Sequence, residues 1–176
     1  MKKILLSLIL IIFFSEKDWA QCTSSCTLDN TFFGNGAGQN NTLGSANSFF
    51  GLSSGLNNTT GTENSFFGTG TGRDNTLGSS NAFFGDGTGA FNLSGILNTF
   101  LGAEAGINNN TGSRNTYLGA SSGRLNDTGS NNVFLGYQAG YNETGSDKLY
   151  IANDNRPDPL IYGDFAQEMI HINGKV

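Results

Sequence analysis

The chain has 176 residues, about one domain's worth, with 26 Gly, 14 Phe, two Cys, one Trp and one His. Only 13% of the residues are charged and the net charge is −5, which disfavours nucleic acid or anionic lipid as a partner, since both are held by Lys and Arg. The Gly and Asn content raises the question of disorder, and the regular placement of Phe argues against it.

The first element is a targeting segment at residues 1–20. Lys2 and Lys3 precede an apolar run from Ile4 to Phe14, and a short polar stretch ends in Trp19-Ala20-Gln21. This is the layout of a secretory signal, with cleavage expected after Ala20, and it places the mature protein outside the cell or on its surface. The run is too short to span a bilayer, which takes about 20 apolar residues, so no transmembrane segment is expected after cleavage. Gln21 and Trp19 fit poorly with a lipoprotein signal at Cys22. Without residues 1–20, six basic and twelve acidic residues remain, a net charge of −6. Residues 21–29 form a lead-in that carries Cys22 and Cys26 in the run CTSSC. Export makes them disulfide candidates, within one chain or between chains. A metal site is not expected there, because the single His171 lies far along the chain and there is no third Cys.

Residues 30–147 are a repeat. Units begin at Asn30, Asn47, Asn64, Asn81, Asn98, Asn115 and Asn132, six of 17 residues and a last one shorter by one. The shared pattern is N-x-[FY]-[FL]-G-x-x-[AST]-G-x-x-N-x-x-G-x-x, with Gly at positions 5, 9 and 15 throughout once the last unit is given its gap. A second Asn recurs at Asn41, Asn58, Asn75, Asn92, Asn109 and Asn126, with Asn142 as its counterpart in the last unit. Helical repeats need 30 or more residues, whereas a β-solenoid coil closes in fewer than 20. The period therefore predicts an all-β protein, a parallel β-solenoid of about seven coils, each with two short strands and two tight turns. Gly is expected where φ is positive. The opening Asn column is expected to stack as an amide ladder between coils.

Positions 3 and 4 are both large and apolar: Phe32-Phe33, Phe49-Phe50, Phe66-Phe67, Phe83-Phe84, Phe100-Leu101, Tyr117-Leu118 and Phe134-Leu135. Neighbours in a strand face opposite ways, so one column fills the coil and the other forms an outward stripe. One buried aromatic per coil does not offset the entropy of ordering 17 residues. The expected cover for the stripe is the same stripe on other copies around an axis. The alternative is a bend that buries both residues within one chain.

On these motifs the units resemble the head repeats of trimeric autotransporter adhesins, the YadA-like heads. Asn30-Thr31-Phe32-Phe33-Gly34 with Ala37, and Asn98-Thr99-Phe100-Leu101-Gly102 with Ala105, take the places of the head motif. Gly136-Tyr137-Gln138-Ala139-Gly140-Tyr141-Asn142 resembles the repeats of bacterial and phage tail-fibre-like proteins still more closely. The resemblance implies a left-handed β-roll, a homotrimer, and service as an adhesive head or fibre. The unit here is longer than that of the adhesin heads. Residues 148–176 resemble neither a membrane-spanning β-barrel anchor nor an intramolecular chaperone.

That tail reads as three short strands, 148–154, 159–165 and 168–174, forming a cap on the solenoid or the start of a further segment. No acid–base pair, nucleophile with a base, or recurring acidic column is visible, so neither an enzyme nor a cofactor is expected. His171 reads as a plain strand residue. The expected function is a structural or adhesive surface element acting on itself, and on a receptor or glycan. A lectin-like use of exposed repeat faces is the alternative, with Phe91, Tyr137 and Tyr141 as its only aromatic candidates. Ice binding is a weaker one, because the position-2 column is interrupted by Ala82 and Val133.

Overall fold

The computed structural model describes residues 29–174. The chain is all-β, a parallel β-solenoid whose seven coils follow one another about 17 residues apart. Each coil contributes one three-residue strand: β1 (Thr31–Phe33), β2 (Ser48–Phe50), β3 (Ser65–Phe67), β4 (Ala82–Phe84), β5 (Thr99–Leu101), β6 (Thr116–Leu118) and β7 (Val133–Leu135). They pair in parallel and in register, position on position. The second strand expected in each coil is absent. The rest of the coil is turn, yet its backbone also bonds to the next coil, as in Gly55 N–H to Thr71 O at 2.9 Å and Asn57 N–H to Arg73 O at 2.8 Å. Turns that stack in register satisfy their own polar groups, so a second strand is not needed.

The position-3 side chains fill the coil. From Phe49 to Phe134 they are fully buried and lie one above the next, with ring centroids 4.6–4.9 Å apart and nearly parallel planes. Each ring presses on the position-9 Gly of its own coil, where a Cβ would collide with it. The small position-8 residues Ala37, Ala105 and Ala139 complete this core.

The glycines serve different ends. At position 5, φ lies between +113° and +139°, a region that L residues rarely adopt, and the next coil's backbone lies against the Cα. At position 15, φ is not positive; a Cβ there would strike the Asn ladder and the next coil's glycine carbonyl. Meanwhile position 17 is left-handed in every coil without being Gly: Ala46, Glu63, Ser80, Leu97, Arg114, Asn131 and Asp147 have φ of 56–62°. Each such residue costs roughly 1 kcal/mol.

Two columns of buried asparagine tie the coils together. In the first, each backbone N–H of position 1 donates to the Asn Oδ1 one coil earlier, as Asn64 to Asn47 at 3.0 Å and Asn115 to Asn98 at 2.9 Å. In the second, the Nδ2 of position 12 donates to the preceding Oδ1 as far as Asn109, as Asn75 to Asn58 and Asn92 to Asn75, both at 2.7 Å, whereas Asn126 Nδ2 donates to the Glu143 and Gly145 carbonyls, both at 3.0 Å. In the first five coils both columns also donate to the position-15 glycine of their own coil. Gly78 O accepts from Asn64 Nδ2 at 2.8 Å and from Asn75 Nδ2 at 2.9 Å, and Gly95 O likewise from Asn81 and Asn92.

The second column ends differently from the sequence reading. The residue that continues it is Glu143, whose N–H bonds to Gly140 O as Asn126 N–H bonds to Gly123 O, while Asn142 is exposed. The missing residue of the last unit thus lies after Glu143. A carboxylate cannot donate to Asn126 Oδ1, which is left buried without a partner.

Beyond Asp147 the sheet continues. β8 (Lys148–Ile151) is an eighth parallel rung, with Tyr150 beside Phe134 and Ile151 beside Leu135. β9 (Ile161–Asp164) and β10 (Met169–Ile172) then add in antiparallel fashion. The Lys148 Nζ–Asp164 Oδ2 pair, 2.6 Å apart, ties β8 to β9. The Lys148 hydrogen bond holds the Asp164 carboxyl below its ordinary pKa, and the Asp164 hydrogen bond holds Lys148 above its own.

Two expectations follow from the interior and the cap. The Tyr117 hydroxyl is the one polar group in the position-3 column; it is buried without a partner, and burial drives its pKa well above the usual tyrosine value. Tyr117→Phe should therefore raise stability by about 1–2 kcal/mol, read as an increased midpoint in urea or heat. The Lys148–Asp164 pair contributes fully between the unfolded carboxylate and amine pKa values, about 4 and 10.4. Its contribution is lost as pH falls through the lowered Asp164 value or rises through the raised Lys148 value. Amide protection in β9 and β10 should fall below about pH 4, and Asp164→Asn should lower it already at neutral pH.

Candidate interaction surfaces

The position-4 residues point outward. Phe33, Phe84, Leu101 and Leu118 are exposed, and Phe50, Phe67 and Leu135 are half-buried. Phe50, Phe67 and Phe84 stack on one another at 4.8–4.9 Å. Strand pairing extends this column through Ile151 to Ile161 and Ile172. An apolar row therefore runs over all ten rungs of one sheet face. The alternative of a bend burying both paired residues is not what the chain does.

Beside this row, two residues away along each strand, lie Thr31, Ser48, Ser65, Ala82, Thr99, Thr116 and Val133. Side chains two apart share a face, so the sheet presents a ridge of Phe and Leu next to a furrow of small residues. Sequence reading could not decide which member of each pair faces out, because both are apolar. The neighbouring glycine is the deciding contact: position 9 has room for an inward ring from position 3.

The opening asparagines Asn47, Asn64, Asn81, Asn98, Asn115 and Asn132 are buried as expected of a ladder, with Asn30 half-buried at its open end. Cys22 and Cys26 and the targeting segment lie outside the described residues. His171 is exposed in β10, opposite Tyr162. Among the described residues, no three His, Cys, Asp or Glu side chains gather as metal ligands, and no helix is long and apolar enough to cross a membrane.

The three aromatic candidates for a ligand face do not share one. Tyr137 is exposed at position 6. Tyr141 borders a hollow of about 460 Å³ with Glu143, Tyr150 and Arg156, and the Arg124 guanidinium lies 5.9 Å from its ring. In that hollow the Tyr150 hydroxyl donates to Glu143 Oε2 at 2.8 Å, and Gly145 N–H donates to Glu143 Oε1 at 2.7 Å. Burial and Glu143 together raise the Tyr150 pKa, so its proton stays on the hydroxyl and the group closes the ladder end. Phe91 lies elsewhere, under the Arg73 guanidinium at 4.9 Å.

No protein-family model, curated protein or solved structure matches this chain.

The two faces of each strand should answer differently to truncation. Phe66→Ala opens a cavity in the ring column and should cost about 3–5 kcal/mol. Phe67→Ser in an isolated chain loses only stacking on an open face and should cost about 1 kcal/mol or less. Denaturation of the two variants at high dilution measures the difference.

Proposed function

We infer that the protein is an exported, non-enzymatic structural element of a cell surface or fibre, assembled from copies packed on their position-4 rows as a homotrimer. The observation that carries this reading is the unbroken apolar row over ten rungs, from Phe33 to Ile172. Isolated exposed apolar residues are ordinary on soluble proteins, but a continuous row of this length marks an interaction surface.

A second copy is the partner that fits this surface best. Its rungs rise by the same 4.8 Å, so a ridge of rings can settle into a furrow of Thr and Ser at every step. An unrelated partner would need the same period. A rod that uses its own repeat to find its own copies also needs no separate recognition site for each rung. Three copies around an axis follow from the likeness to adhesin-head and tail-fibre repeats, as does the placement at the surface. The N-terminal signal pattern supports export, and the acidic balance of the chain fits a partner other than nucleic acid.

Light scattering on the mature chain should give three times the monomer mass. The triple variant Phe50→Ser, Phe67→Ser, Phe84→Ser should dissociate while its circular dichroism stays β-rich. A wild-type monomer at micromolar concentration would refute the assembly, and collapse of the triple variant into an unfolded chain would make the row part of a monomer's core.

A further inference from the structure

The fourth coil, residues 81–97, breaks two columns at once. Position 11 reads Asn40, Asn57, Asp74 and then Phe91. Up to that point the side chains are chained, Asn40 Nδ2 to Asn57 Oδ1 at 2.7 Å and Asn57 Nδ2 to Asp74 Oδ1 at 2.8 Å. Position 13 reads Thr42, Thr59, Thr76 and then Leu93; each Thr hydroxyl donates to the next coil's carbonyl, and the series stops there. Both newcomers are large, apolar and 41% exposed. Neither adds to the core, and each ends a hydrogen-bonded series that its coil could have continued. Phe91 packs only under the Arg73 guanidinium, 4.9 Å from its ring, and of the later position-11 residues only Leu125 is also large and apolar.

They meet at a hollow of about 550 Å³ lined by Asp74, Phe91, Leu93, Asn108, Asn110 and Asp127. Asp74 is already engaged. Partial burial would raise its pKa, but the hydrogen bonds from Arg73 and Asn57 and the Arg73 charge outweigh this and hold it low. That leaves the Arg73 guanidinium neutralised above the Phe91 ring. Among the described residues the side chains of Asn108, Asn110 and Asp127 make no hydrogen bond, and Asn110 Oδ1 is buried with none. An unsatisfied buried oxygen costs free energy in the empty protein, a cost that a bound hydroxyl relieves by drawing the amide toward it.

We propose that this hollow binds a neutral carbohydrate, one sugar ring packing its C–H face on Phe91 and Leu93 while its hydroxyls bond Asp127, Asn108 and Asn110. The mixture of an apolar floor with a few convergent planar polar groups is that of a small-molecule site. A carboxylate accepts from two hydroxyls, and each amide both donates and accepts, which matches a sugar's vicinal diols. The unpaired charge of Asp127 excludes sialylated, uronic or phosphorylated ligands. The hollow is shallow, so a single site binds weakly and gains strength from several copies acting together. This goes beyond the assembly reading and does not depend on it.

The test is a titration of the full ¹⁵N-labelled mature chain with maltotetraose, cellotetraose and chitotetraose, with 3′-sialyllactose as the anionic control and tetralysine as a cationic one. The side-chain amide signals of Asn108 and Asn110 report occupancy. At least one neutral tetrasaccharide should shift them, sialyllactose should not, and Phe91→Asn should weaken binding by about tenfold or more. Phe91→Asn restores the residue that the column uses elsewhere, so it should fold; Phe91→Leu serves as a second variant. No shift with any neutral sugar, binding unchanged in both variants, or occupation by tetralysine alone would each overturn the proposal. Repeating the titration on the Phe50, Phe67, Phe84 triple-Ser variant separates this result from that of the assembly.

Discussion

A backbone carbonyl shared by two side-chain amides closes the coil. In the first five coils the position-15 glycine accepts from the position-1 and position-12 asparagines together, and from the second coil to the fifth each asparagine passes a further bond to the coil before it. Burying an amide without partners costs several kcal/mol, so eleven buried asparagines on two columns are tolerable only if the coils stack in one register. A slip by one residue would leave both columns unmatched. The ladder thus selects the 17-residue coil more than it stabilises it. It also requires glycine at position 15, because a Cβ there, as at Gly61 and Gly78, would strike the position-12 amides of its own and the next coil and the next coil's glycine carbonyl. Strand content is minimal for the same reason: three residues of strand suffice when the turns carry their own inter-coil bonds.

A periodic ladder must also stop. Here the second column's amide chain runs to Asn109; Asn126 turns its Nδ2 to the Glu143 and Gly145 carbonyls, and the Glu143 carboxylate accepts from Gly145 N–H and the Tyr150 hydroxyl. The ring column changes in step. Phe134 and Tyr150 meet edge to face at 5.3 Å where every earlier pair from Phe32 onward is stacked, and Tyr150 meets Tyr162 in the same way. Two antiparallel strands then follow the last parallel rung. The change in chain direction, the deleted residue and the charged Lys148–Asp164 pair coincide within one turn of the rod. Antiparallel strands cannot extend a 17-residue parallel stack, so they terminate it.

Much of this was legible in the sequence, and the limits have physical causes. The period and the first asparagine column follow from residue types that tolerate few alternatives, whereas which of the paired apolar residues faces inward is settled only by the position-9 glycine against the ring. The strand count did not, because Gly-rich turns and short strands share a composition. Position 17 was invisible: Ala46, Glu63, Leu97 and Arg114 have nothing in common except a left-handed backbone imposed by their neighbours. Position-15 glycine was read as a conformational requirement and is a steric one. Asn142 was matched to the ladder by residue type, whereas backbone bonding assigns Glu143 to that place. Trimeric assembly and export rest on resemblance and on the signal pattern, and neither is a property of a single coil.

Phe91 is legible in the sequence as an isolated aromatic, but the hollow it forms with Leu93 is not, for a reason that also makes it informative. Positions 11 and 13 vary along the chain, and variable positions in a repeat are easily dismissed as solvated surface. In a solenoid, however, each column is its own control, since neighbouring coils supply the same backbone with a different side chain. Asn57 and Asp74 show what position 11 does when it serves the rod, and Thr59 and Thr76 show the same for position 13. Against those neighbours Phe91 and Leu93 lose hydrogen bonds and gain exposure. None of the residues lining their hollow belongs to the position-2 or position-4 columns, so copies packed on the outer row leave it open. The two surfaces can then act independently: an apolar row repeated at every rung, where association needs length, and a single hollow centred on the fourth coil and edged by its neighbours, where recognition needs a departure from the repeat.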